Sequence, residues 1–188
     1  MAEITLQAAP ILDGVDIEIA GCRLVERDDL ALVSLAVPHR GTTKLAKALK
    51  SGFGLSMPKP ALSVEKDGLR LIQIAPDQMM LIFSDASPDA EPAIRHKLDG
   101  TAYTTNQSDA WVRLDLSGQN AVKALERLCP LDLHHSTFPV GSAARTVMEH
   151  MGALVIRTAP DSFLLMSASS SGGSFLHALE TSLRYIDT

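Results

Sequence analysis

The sequence predicts an α+β protein made of two tandem pseudo-repeats of β-α-β-β-β-α, with mostly antiparallel sheets and helices on one face of each. Three observations carry this prediction. First, with the chain shifted by 84 residues, Leu71-Ile-Gln-Ile-Ala-Pro-Asp-Gln-Met-Met-Leu-Ile82 lies over Val155-Ile-Arg-Thr-Ala-Pro-Asp-Ser-Phe-Leu-Leu-Met166, and five of the twelve pairs are identical. Second, the same order of six elements reads out on both sides of that match. Third, strands follow one another through hairpin turns with helices segregated between them, and no GxGxxG or P-loop spacing suggests a nucleotide-binding sheet.

Residues 1–27 form an N-terminal segment outside the repeats. The first repeat spans 28–100 and the second 104–187, within one compact unit. Leu30–Val37 and Trp111–Leu116 are apolar strand-like runs, each followed by a glycine, Gly41 or Gly118. A helical pattern comes next in both. Leu45, Ala48 and Leu49 fall at i, i+3, i+4 behind Thr42 or Thr43 as N-cap. Ala121, Leu125 and Leu128 fall at i, i+4, i+7 and Pro130 marks the end. Lys66-Asp67-Gly68 and Met151-Gly152 read as hairpin turns, where glycine supplies a positive φ. In each Ala-Pro-Asp tripeptide, Pro presets φ for the second turn position, and Asp77 or Asp161 bonds to local backbone. A helix over Asp89–Leu98, with Pro92 in its first turn, closes the first half. A second over Ser174–Ile186 closes the chain with Leu176, Leu179, Leu183 and Ile186 on one stripe.

Composition narrows the functional classes. Of 188 residues, 46% are hydrophobic and 21% charged, and 22 acids against 17 bases leave a net charge of −5. That excludes disorder and gives no support to nucleic-acid binding. No apolar run reaches the roughly 18 residues of a membrane helix. Met1-Ala-Glu-Ile-Thr5 lacks a basic n-region, so no secretory signal is expected and the protein is placed in the cytoplasm. Cys22 and Cys129 are far apart, with no CxxC or zinc-ligand spacing.

Little in the sequence carries chemistry. His134 and His135 point to opposite faces of a strand, or lie about 100° apart on a helix, so they do not readily chelate one ion. Cys129 falls on the apolar side of its helix, which suits a structural cysteine better than a nucleophile. Trp111 serves equally well as core or as contact surface. The acid runs at 26–29 and 85–91 read as solvated turn and helix-start charges. No catalytic, cofactor-binding or metal-ligating residue is expected.

The repeat breaks at one place. Between Gly118 and Arg145 the second half carries about seven more residues than its counterpart, in the loop Cys129–Gly141. Asp132, His134 and Phe138 in this loop are the candidate subunit-interface residues, since an aromatic anchor beside polar groups dominates many interfaces. A rigid connection, with Leu131 and Leu133 in the core, explains the same prolines and leucines.

Asn106-Gln-Ser-Asp-Ala-Trp111, Leu116-Ser-Gly118, Cys129-Pro-Leu-Asp-Leu-His134, Phe138-Pro139, Ala144-Arg-Thr146 and Ala159-Pro-Asp-Ser-Phe-Leu-Leu165 together resemble the gamma subunits of heterotetrameric sarcosine oxidases. The resemblance runs over about residues 70–186 and is poor over the first 60 or so. It implies a fold related to the folate-binding core of the glycine-cleavage aminomethyltransferases. It implies a complex that oxidatively demethylates sarcosine to glycine with O2, giving H2O2 and methylene-tetrahydrofolate. Alpha, beta and delta subunits are the implied partners. FAD, FMN, NAD, tetrahydrofolate and zinc are implied in those partners rather than in this chain. The alternative is a free-standing folate-dependent, aminomethyltransferase-like protein. Against it, His150-Met-Gly-Ala-Leu154 lacks the acid that those enzymes carry there, with only Glu149 upstream.

Overall fold

The computed structural model describes residues 9–85, 87 and 89–186. The opening Met1–Thr5 stretch, part of the 85–91 acid run and residue 187 therefore lie outside the described residues. Before the repeats come β1 (Asp16–Ile19) and β2 (Cys22–Glu26). The first half is β3 (Leu30–Ala36), α1 (Thr42–Phe53), β4 (Ser63–Lys66), β5 (Leu69–Ala75), β6 (Gln78–Ser84) and α2 (Glu91–Leu98). After β7 (Tyr103–Asn106) the second half repeats the order. It runs β8 (Trp111–Gly118), α3 (Ala121–Glu126), β9 (Ala143–Met148), β10 (Met151–Ala159), β11 (Ser162–Ala168) and α4 (Gly172–Arg184).

Two antiparallel sheets result, ordered β4-β5-β6-β3-β7 and β1-β2-β8-β11-β10-β9. The alternation of side chains along each strand explains how they stack. Val33 and Leu35 of β3, with Met79 and Leu81 of β6, face α1 and α2 through Leu45, Leu49, Ile94 and Leu98. The intervening Leu32, Met80 and Ile82 meet Leu154, Ile156, Leu164 and Met166 of the other sheet. Val155, Phe163 and Leu165 face Leu125, Phe175, Leu179 and Leu183 from α3 and α4. The order of layers is helices, sheet, sheet, helices. Strands buried on both faces read as unbroken apolar runs, as Met79–Phe83 does. Trp111 is half-buried against the layer between the sheets, so it packs.

Symmetry extends to detail. Both Pro-Asp turns join strands in a tight hairpin, and the ladder slips at equivalent positions, Gln73/Ala75 and Arg157/Ala159. The main-chain carbonyl of Asp77 accepts from Val37 N–H at 2.8 Å, and that of Asp161 accepts from Gly118 N–H at 2.9 Å. The aspartate side chains take no hydrogen bond among the described residues, so they do not close the turns as expected; the two backbone carbonyls instead tie each turn to the neighbouring strand, β3 or β8.

Other departures have equally local causes. Gly41, not a threonine, is the N-cap of α1, and no side chain caps that helix. A Cβ on Gly41 would sit 2.8 Å from the Pro38 carbonyl oxygen, so the tight Pro38–Gly41 turn requires glycine. The second hairpin turn is Glu149-His150, with Glu149 at φ 53°, while Gly152 lies inside β10 opposite Val147. Leu128 falls past the end of α3.

The expected boundary between an N-terminal segment and the first repeat does not describe the packing. β2 precedes β3 in the chain yet pairs with β8, and β7 precedes β8 yet pairs with β3. Each sheet is thus completed by a strand that runs directly into the other half. The sheets also meet at one corner, where Leu62 bridges Ser142 and Ser63 N–H donates to the Gly141 carbonyl at 2.7 Å.

Candidate functional site

The loop that interrupts the repeat is tied together by hydrogen bonds among its own residues. Asp132 Oδ1 accepts the His134 backbone N–H at 2.9 Å, a turn that short acids form readily. The His134 carbonyl then accepts the N–H groups of Thr137 and Phe138 at 3.0 and 2.8 Å. The His134 N–H foremost, and then the Thr137 hydroxyl, hold the Asp132 carboxyl below its ordinary range. His134 Nδ1 lies 2.8 Å from Ser136 Oγ. Leu133 is fully buried and Phe138 nearly so, both in the core under α3 and α4.

Arg157 on β10 fastens this loop from beneath. It is 4% exposed. Its Nη1 donates to the carbonyls of Leu133 at 3.0 Å and Phe138 at 2.7 Å. Nε and Nη2 donate to the Pro160 carbonyl at 3.1 and 2.6 Å. The guanidinium carbon lies 5.1 Å from the Phe163 ring centroid. A planar fork of donors is the side chain that can serve three carbonyls in one place. Its equivalent in the first half is Gln73, whose amide reaches only the Pro76 carbonyl, at 3.2 Å.

Loop, α3 and hairpin turn enclose an open cavity of about 440 Å³. Val122, Leu133, Pro139 and Val140 give it apolar walls, and Arg157 lies at its base. Glu126 and Asp161 contribute carboxylates, and His134 and His135 contribute imidazoles. Among the described residues neither carboxylate is in an ion pair.

The candidate interface residues separate. Asp132 and His134 share the exposed side of the loop, whereas Phe138 is 6% exposed and turned inward, where it supports the loop rather than offering an anchor. The two imidazoles were expected to diverge; the irregular backbone instead brings their centroids to 4.1 Å. No group of three or more potential metal ligands forms among the described residues. Cys129 is buried with its thiol pushed up by burial, and its Sγ lies 3.3 Å from the Leu125 carbonyl. Cys22 is likewise buried and raised. Glu149, upstream of the Met-Gly pair, sits exposed in its turn.

Sequence reasoning passed over Arg157, Glu126, Asp161 and Val140 as site residues. One signal for Arg157 was present. In the internal alignment it replaces Gln73 inside an otherwise apolar strand, in the half that carries the longer loop.

The model of the family described as "Sarcosine oxidase, gamma subunit family" matches residues 40–182, a span holding the whole loop and cavity. The chain belongs to the sarcosine oxidase gamma subunit family. The match begins well before residue 70, so this family resemblance takes in most of the first half too. The sarcosine oxidase subunit gamma of Corynebacterium sp. strain P-1 is 28% identical over 145 residues, covering 77% of this chain and 70% of that one. That of Corynebacterium sp. strain U-96 is 26% identical over 171 residues, covering 86% and 80%. A chain of the heterotetrameric sarcosine oxidase from Corynebacterium sp. U-96, solved with pyrrole 2-carboxylate, has the same fold. Its TM-score is 0.77 at 23% identity, over 92% of this chain and 88% of that one. The glycine cleavage system aminomethyltransferase T of Bartonella henselae matches at TM-score 0.61 and 14% identity, over 86% of this gamma-family chain and 46% of the enzyme. The α+β, aminomethyltransferase-like architecture expected from the sequence is therefore observed.

Proposed function

We propose that this chain is the small, non-catalytic gamma subunit of a heterotetrameric sarcosine oxidase. The assembly oxidatively demethylates sarcosine to glycine with O2, releasing H2O2 and forming methylene-tetrahydrofolate. The flavins, NAD, tetrahydrofolate and zinc belong to the alpha, beta and delta subunits, and this chain contributes structure and docking. The family match across both halves is the observation that supports this reading. The cysteines fit it too, since burial raises both thiols away from the reactive thiolate form.

Docking is assigned to the exposed side of the Cys129–Gly141 loop, with Asp132 and His134 as contact residues and Phe138 as the internal support. The test is co-expression with the large subunits from the same source. The wild-type chain should co-elute with them, and alone it should neither retain a flavin absorbance band nor consume oxygen with sarcosine. Asp132→Asn/His134→Ala should keep a melting temperature within about 2 °C of the parent, because Asn keeps the oxygen that accepts the His134 N–H and the His134 imidazole is solvent-exposed, yet co-elute poorly. A flavin band retained by the isolated chain after gel filtration would refute the subunit reading. So would a large rise in melting temperature with tetrahydrofolate alone, which favours the free-standing folate protein.

A further inference from the structure

Charge is distributed unevenly along this chain. Residues 30–64 carry five cations, Arg40, Lys44, Lys47, Lys50 and Lys59, and no aspartate or glutamate, in a protein whose net charge is −5. All five side chains are exposed, and none is in an ion pair among the described residues. Lys44, Lys47 and Lys50 follow at i, i+3, i+6 on α1, about 9 Å end to end along its axis. They occupy the side opposite the buried Leu45, Leu49 and Phe53. At the C-terminal end of α1, Lys97 of α2 extends the same field, with its Nζ 5.2 Å from the Phe53 ring centroid.

Local helix chemistry opposes this arrangement. Like charges three residues apart repel, and a first turn favours acids over lysines. The first turn of α1 holds no acid and includes Lys44. The counterpart helix α3 aligns with α1 through the buried pairs Leu45 with Ala121 and Leu49 with Leu125. Where α1 has Lys44, Lys47 and Lys50, α3 has Asn120, Lys123 and Glu126. The unbroken basic row therefore belongs to the first half and is not required by the fold. A surface that departs from local preference without a packing reason is a candidate for binding.

We propose that the exposed face of α1 is a second docking surface, on which Arg40, Lys44, Lys47 and Lys50 receive an acidic surface of a partner subunit. The proposal rests on the subunit reading and names the chemistry of the partner at a different face from the Cys129–Gly141 loop. α1 lies in one outer layer of helices, whereas the loop packs with α3 and α4 in the other. Other polyanions fit this face less well. A nucleic acid meets the negative balance of the whole chain and finds no aromatic side chain on the exposed face of α1 to stack on. A membrane finds no large apolar side chain to insert, because the exposed residues of α1 are Thr42, Thr43, Lys44, Lys47, Lys50 and Ser51. Carboxylates on a folded partner need neither feature, and the row of ammonium groups steers their encounter.

The test follows association of the intact chain and its variants with the purified partner subunits by biolayer interferometry across a salt series. Lys44→Gln/Lys47→Gln/Lys50→Gln keeps good helix formers and removes the repulsion, so its melting temperature should not fall. Its association rate should drop about tenfold or more and vary less with salt than that of the wild type. Lys44→Arg/Lys47→Arg/Lys50→Arg keeps the charge and should associate like the parent. Lys123→Gln/Arg127→Gln/Arg145→Gln removes three exposed cations from the second half and should slow association far less. If wild type assembles and the α1 glutamine variant associates as fast with the same salt dependence, the docking face is refuted while the subunit reading stands. Equal slowing by the second-half variant refutes it as well, since the effect is then one of net charge. If these lysines instead govern binding to a single-stranded oligonucleotide or to phosphatidylserine vesicles while partner association ignores them, the acidic-subunit assignment is overturned. If wild type associates with no partner, the subunit reading fails and this surface fails with it.

Discussion

Arg157→Met is the sharpest probe of how the loop is held. The substitution keeps most of the apolar stem but removes four hydrogen bonds to the carbonyls of Leu133, Phe138 and Pro160. Charged donors contribute about 1.5–3 kcal/mol each, and a buried carbonyl left without a partner costs about 1–3 kcal/mol. These figures do not add, because the three carbonyls share one donor and the neighbouring cavity admits water to part of the gap. A loss of about 3–5 kcal/mol is expected, equivalent to about two charged hydrogen bonds lost in full. For a chain of this size that corresponds to a drop in melting temperature on the order of 10 °C.

The assay is urea unfolding followed by circular dichroism, with Gln73→Ala as the internal control. Gln73 makes the equivalent contact with a single bond to the Pro76 carbonyl and should cost under about 1 kcal/mol. Arg157→Lys should recover only part of the loss, since an ammonium cannot span three carbonyls in one plane. If Arg157→Met costs no more than Gln73→Ala, the loop is held by its apolar residues alone and the fastening role is wrong.

Two further outcomes test the strand exchange and its charges. Gly118→Ala should destabilise by about 3 kcal/mol and loosen β2 to proteolysis: Gly118 sits at φ 135°, and a Cβ there would lie 2.3 Å from the Gly21 carbonyl oxygen and 2.7 Å from Cys22 Cα. Asp29 is held below the ordinary carboxylate range chiefly by the Arg27 guanidinium, which bonds both its oxygens at 2.7 and 2.8 Å. A depressed carboxyl stabilises the fold above its unfolded value of about 3.9, and that contribution is lost as pH falls through the lower folded value. Urea midpoints measured from pH 7 to pH 3 should therefore fall more in wild type than in Asp29→Asn, by under about 1 kcal/mol because Asp29 is half exposed.

Hairpins were legible in the sequence because their information is local. Pro76-Asp77 and Pro160-Asp161 close strands within a few residues, and the alternation of apolar side chains needs no distant partner to be read. Strand exchange was not legible, because nothing local opposes pairing β2 with β3. Only Arg27–Asp29 separate them, a length that suits a hairpin, and consecutive strands usually neighbour each other. What diverts the chain is distant: Arg27 N–H donates to the Arg113 carbonyl at 2.9 Å and so continues the ladder onto β8. The site was half legible for the same reason. The extra length of the loop and its polar Asp132 and His134 stand in the sequence, but the inward turn of Phe138 depends on Arg157, whose hold on the loop spans 19 to 24 residues of chain.

The polar positions of β8 gain meaning from that exchange. Val112, Leu114 and Leu116 point to the helices, which leaves Arg113 and Asp115 on the opposite face. On a strand packed between layers, charges there are costly unless something needs them. Arg113, 7% exposed, donates through Nε to the Arg27 carbonyl at 2.9 Å and through Nη1 to the Ser108 carbonyl. Arg27 lies where β2 crosses toward β3, and Ser108 lies where β7 crosses toward β8. One guanidinium therefore ties both crossing points together, despite a desolvation cost large enough to lower its own pKa. Asp115 completes the arrangement by pairing with the Arg27 side chain. Glu26, beside them, accepts the N–H groups of Leu12 and Gly14 and draws the N-terminal segment over the same end. The buried charges among the described residues thus stand where the backbone leaves regular pairing: Arg113 and Glu26 at the strand exchange, Arg157 at the inserted loop. Apolar burial builds the layers, and these charges hold the connections between them.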